Sequence, residues 1–181
     1  MLMKSLIKCS LALTAAALLA SSVTYSQDRG NGRARPSPNA VVSQNIGTTV
    51  VSITYGRPGL KGRSVDSLVP DGKVWRTGAN ESTAITFSSD VKVGGESVAA
   101  GTYSLYSMPD GNDFYFIINA KLSWGTQYDA SQDVKRFKVP LKKAGPTEWF
   151  TIGFDSLSNT GAHLNLSWGD WMAAVPITVD G

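Results

Sequence analysis

From residue 48 onward the chain alternates apolar and polar positions in short runs. TTVVSITY (48–55), STAITF (82–87), GTYSLYSM (101–108) and DFYFIIN (113–119) are four of them. VKRFKVPL (134–141), EWFTIGF (148–154), AHLNLSW (162–168) and MAAVPITV (172–179) are four more. β-Branched and aromatic residues fill these runs, and such residues fit a pleated, half-buried surface. Phe150, Ile152 and Phe154 share one face, as do Leu164, Leu166 and Trp168. DVKVGGESV (90–98) breaks at Gly94-Gly95 into two short strands, a hairpin signal. Pro109-Asp110-Gly111-Asn112 supplies another turn. No stretch holds a helical period for three turns. About nine short strands with regular turns predict an all-β, single-domain, mostly antiparallel β-sandwich. Pro140 and Pro176 place their strands at edges or end them early. Trp168-Gly169-Asp170-Trp171 reads as a bend between two strands.

Two segments break the pattern. Residues 56–81, GRPGLKGRSVDSLVPDGKVWRTGANE, are long, glycine-rich and charged. Long irregular connections in compact domains are uncommon and often functional. Residues 122–132, LSWGTQYDASQ, form the second break.

The N-terminus belongs to neither pattern. Lys4 and Lys8 precede a short apolar run at 11–20, and small residues follow. That is the layout of a signal peptide over 1–26, cleaved near Ser26, and the run is too short for a bilayer span. Export to the periplasm or medium is the expectation. Residues 27–38 lack apolar periodicity and read as a flexible leader, leaving 39–181 as the domain.

Charge follows from this division. The whole chain carries 17 basic and 14 acidic residues. Two basics lie in the signal, and Arg29, Arg33 and Arg35 lie in the leader. From Pro36 onward 12 basic residues face 13 acidic ones, so the folded part has no basic excess. Nucleic-acid binding, which needs a basic face, is not expected. The single cysteine, Cys9, leaves with the signal. With one histidine, His163, and no mature cysteine, a His- or Cys-rich metal site is excluded within one chain. No cofactor and no membrane span in the mature chain are expected.

Four motifs carry a resemblance: SPNAVVSQNIG, ITYGRPGLKGR, LVPDGKVWRTGANESTAITF and GTYSLYSMP. Over about residues 37–179 the chain resembles the exported bacterial proteins grouped as domain of unknown function 2911. The spaced set Y-x-R-P, K-G-R and W-R-x-G-A-N-E is specific. The resemblance implies a β-sandwich and a signature, with no activity attached. Val65 and Ser67 depart from the aromatic or glycine common near the K-G-R stretch.

The candidate chemistry sits in 56–81. Arg57, Lys61, Arg63, Lys73 and Arg76 offer cationic donors, and guanidinium matches carboxylate or phosphate bidentately. Trp75, with Tyr55, offers a flat face; Asn80 and Glu81 suit ligand hydroxyls. The leading expectation is a non-catalytic module that binds a small polar or anionic ligand or glycan through Arg57, Lys61, Arg63, Trp75, Arg76, Asn80 and Glu81. A plain clasp, with Arg76 paired to Glu81, would serve as well to pin the loop. Two other functions stay open: a hydrolase acting on glycan or envelope material with Glu81 as acid/base, helped by Asp66 or Asp71, and an interaction protein pairing through a sheet edge. His163 has the parity of a solvent-facing strand residue, and Asp110 and Asp113 read first as a hairpin turn rather than a calcium site. No catalytic residue is assigned.

Overall fold

The computed structural model describes residues 29, 30 and 32–181. The expected signal peptide therefore lies outside the described residues. Ten antiparallel strands form two sheets. They are β1 (Asn39–Ile46), β2 (Thr49–Gly56), β3 (Thr83–Phe87), β4 (Val91–Val93), β5 (Glu96–Val98), β6 (Gly101–Asp110), β7 (Asp113–Asn119), β8 (Asp133–Pro140), β9 (Lys142–Asp155) and β10 (Gly161–Thr178). The larger sheet runs β1-β2-β3-β6-β7-β8 and the smaller β5-β4-β10-β9. One short helix, α1 (Val65–Leu68), lies in the 56–81 connection, capped by the Ser64 side chain.

Alternation decides which face is buried. Val51, Ile53 and Tyr55 of β2, Ile85 and Phe87 of β3, and Phe114, Phe116 and Ile118 of β7 point between the sheets. Phe150, Ile152, Leu164, Leu166 and Trp168 meet them from β9 and β10. Each fully buried side chain of this size stabilises the fold by roughly 1.5–3 kcal/mol. Tyr55 is part of that core, 3% exposed, and its hydroxyl accepts from Ile152 N at 3.1 Å. It is no surface platform.

Two expectations are revised here. NAVVSQNI becomes β1, paired along its whole length with β2. The expected bend at 168–171 is instead a pair of register shifts inside the single long strand β10, with Gly169 at φ +60°. The bulges let the strand turn without ending.

The six-stranded sheet also buries part of its outer face. Tyr106 of β6 and Ile117 of β7 are opposite each other and 1% and 0% exposed, yet they lie outside the inter-sheet core. The 120–132 segment covers them, with Tyr128 4.8 Å from Tyr106, ring to ring. This cover holds one end of the 74–83 stretch.

Candidate functional site

The 74–83 stretch changes sides of the larger sheet. At its start Trp75 exchanges two backbone bonds with Ser107 of β6, taking the place beside β6 that β3 leaves. Its ring lies inside the sandwich, stacked on Trp168 at 5.3 Å and 13°, and edge-on to Phe150 at 4.8 Å. At its far end Glu81 bridges to Trp124, with Ser82 N bonded to Ser123 O and Gly125 N to Asn80 O. Ser82 and Ser104 hydroxyls meet at 2.7 Å on the outer face.

The crossing needs unusual backbone. Thr77 sits at φ 51°, Gly78 at 152° and Asn80 at 68°. A β-branched residue in the left-handed region costs of order 1–3 kcal/mol, and such strain gathers at functional sites. Thr77 is held there: its hydroxyl donates to Ser107 Oγ and its carbonyl accepts from Thr83 Oγ1 at 2.5 Å. Gly56 packs so closely that a Cβ there would lie 2.2 Å from Ala79 O.

The sequence-nominated residues separate into two groups. Arg63, Trp75 and Arg76 line one groove of about 220 Å³, together with Pro58, Leu68 and Trp168. Asn80 and Glu81 lie toward the 123–125 segment on the outer face. Arg57 is committed elsewhere, donating to Phe150 O at 2.9 Å and Thr151 Oγ1 at 2.7 Å. Lys61 is exposed, and its backbone N–H donates to Glu148. Arg63 is braced on Leu60 O and Gly59 O at the groove's rim.

Glu81 does not pair with Arg76. Its partner is Arg35 of the leader, which grips both carboxylate oxygens at 2.8–3.0 Å. Glu81 is 7% exposed in its side chain. Burial alone would push its pKa up, but the Arg35 hydrogen bonds, with the charges of Arg35 and Arg29, hold it below the ordinary value. Nothing in the local sequence flags Arg35, since the pair spans 46 residues.

Arg76 is the opposite case. Its stem passes over Gly125, where a Cβ would lie 2.2 Å from Arg76 Cδ. Among the described residues its buried Nε has no hydrogen-bond partner, nor does the buried Asn80 Nδ2. Burial lowers its pKa, offset only in part by Tyr106. A guanidinium kept in this state is a ready donor for an anion. Among the described residues no group of three or more His, Cys, Asp or Glu is arranged to hold a metal ion. No described helix is long and apolar enough to cross a membrane.

Other aromatics sort by exposure. Trp168 and Trp171 are 4% and 7% exposed, whereas Trp124 and Trp149 are 48% and 39% exposed. His163 is open to solvent beside Asp155.

Fold and site together define a β-sandwich with an arginine- and tryptophan-lined groove at one end of its larger sheet. The chain belongs to the family described as protein of unknown function (DUF2911), which it matches over residues 37–177. No curated protein and no solved structure matches it.

Proposed function

We propose that this is an exported binding module whose groove takes a small anionic ligand, with Arg76 as the anion's partner. The observation that carries the reading is Arg76, a residue that lines the groove and whose partly buried guanidinium has its Nε without a hydrogen-bond partner among the described residues. Leaving such a group unpaired in a fold is costly, so a ligand that supplies the acceptor is favoured. Arg63 at the rim adds a second positive charge, and Trp75 and Trp168 add apolar lining. The small volume suits one sugar-sized unit, so acidic glycan fragments fit the chemistry. Export rests on the charged, apolar and small-residue order of 1–26.

The hydrolase reading has less support. A general acid must be protonated at working pH, and the Arg35 grip favours the ionised form of Glu81.

The test is calorimetric titration of the protein with glucuronate, inorganic phosphate and neutral glucose. Binding of the anions but not of glucose, lost in Arg76→Met with the fold intact, is the expected result. Equal affinities in wild type and Arg76→Met would sink the proposal.

A further inference from the structure

Sheet edges expose unpaired backbone groups, and natural proteins guard them. Three of the four edges here are guarded. β8 carries Lys135, Arg136 and Lys138 and ends in Pro140. β9 carries Lys142, Lys143 and Pro146, and residues 58–60 cover its middle through bonds to Glu148 and Phe150. β5 is three residues long. The fourth edge, β1, is eight residues, NAVVSQNI, with no charge, no proline and no glycine.

The register shows which groups β1 leaves open. Arg57 N donates to Pro38 O at 2.8 Å, and Ile46 faces Thr49 across the two-residue turn. Bonded pairs alternate in an antiparallel ladder. Ala40, Val42, Gln44 and Ile46 therefore bond to β2, while Asn39, Val41, Ser43 and Asn45 turn N–H and C=O outward. Those same four residues are exposed, Val41 at 67%. Among the described residues only the Asn45 carbonyl of these four has a side-chain donor, from Gln44.

We propose that β1 is the pairing edge of a symmetric dimer, with β1 of a second copy of this chain adding antiparallel so that the two larger sheets run on as one. A two-fold contact brings the same patch together from both copies. An uncharged strand sets no like charges opposite one another. A register centred on Val42 places Val41 against Ser43 and Asn39 against Asn45 of the other copy, using all four outward-facing residues. The contact is small and mostly main chain, so the dimer is weak and concentration-dependent. This inference is independent of the anion site.

Sedimentation equilibrium across a wide concentration range tests it, with Ser43→Pro and Val41→Lys alongside. Ser43→Pro removes an outward N–H without touching the β1–β2 ladder. Val41→Lys leaves the backbone unaltered and sets two lysines diagonally across the axis. The expected result is a wild-type mass that climbs toward twice the monomer, while Val41→Lys stays monomeric with an unchanged circular dichroism spectrum. A wild type that stays monomeric at its highest concentration overturns the proposal, as does a Val41→Lys protein that dimerises equally well.

Discussion

Arg35 and Glu81, 46 residues apart, form a bidentate ion pair that ties the leader to the outer face of the larger sheet. Their side chains are 19% and 7% exposed. Removing one partner of a buried pair costs about 3–5 kcal/mol, because the other charge is stranded. Glu81→Gln and Arg35→Ala should each lose about 3 kcal/mol at neutral pH in urea unfolding. The double variant should lose much less than the sum, since the two groups act as one. Additive losses would show that the pair contributes little.

The pair also sets a pH dependence. The folded pKa of Glu81 lies below its ordinary value. A depressed carboxylate stabilises the fold above its unfolded pKa, about 4.3, and that stability is lost as pH falls through the folded pKa. The gap between wild type and Glu81→Gln should therefore be full at neutral pH and close only in the acid range. A gap that persists unchanged to the most acid pH tolerated would contradict the assignment.

The strand pattern was legible because each core strand keeps its period of two. Phe150, Ile152, Leu164 and Leu166 lie on the faces that alternation assigned them. β1 was not legible, because its inward set, Ala40, Val42 and Gln44, is only partly buried and weakly apolar. The 168–171 bulges resemble a bend locally, and only pairing with β9 shows the strand to be continuous. The site was half legible. The 56–81 connection holds the residues its composition nominates, but the backbone crosses the sheet edge between Trp75 and Glu81 and divides them. Arg35 came from outside any local window. Local composition marks where chemistry is concentrated; long-range pairing decides which groups face one another.

Arg76 should behave unlike Glu81. Its Nε has no hydrogen-bond partner to lose among the described residues, and its burial disfavours the cation. Arg76→Met keeps most of the stem that lies over Gly125 and removes the charge. Its stability should fall within about 1 kcal/mol of wild type, or above it. A loss comparable with that of Glu81→Gln would make Arg76 a structural residue and weaken the anion proposal.

Close backbone approach predicts a contrast between two glycines. Alanine at Gly56 would put its Cβ 2.2 Å from the Ala79 carbonyl oxygen, with no side chain able to move aside. Gly56→Ala should cost on the order of 3 kcal/mol or more by overpacking. Alanine at Gly125 would meet Arg76 Cδ, which can swing, at 2.2 Å, and the fixed Arg76 Cβ and Asn80 carbonyl oxygen only at 2.8 Å each. Gly125→Ala should cost less, while displacing Arg76 and weakening anion binding. Equal destabilisation in thermal melts would mean that Arg76 cannot move.

Tyr128 offers a reading at the alkaline end. Its hydroxyl donates to Asp133 Oδ2 at 2.6 Å and accepts from Arg136 at 2.7 Å. Burial, then the Asp133 hydrogen bond and charge, push its pKa up to about 12. A raised folded pKa gives stability that is fully present below the unfolded value, about 10, and lost as pH rises through the folded one. The difference between the ultraviolet titrations of wild type and Tyr128→Phe should be one tyrosine that ionises at about pH 12. The stability advantage of wild type over Tyr128→Phe should hold at neutral pH and shrink between about pH 10 and 12. If the late titration survives in Tyr128→Phe, another tyrosine carries it, and the network over Tyr106 does not hold Tyr128 protonated.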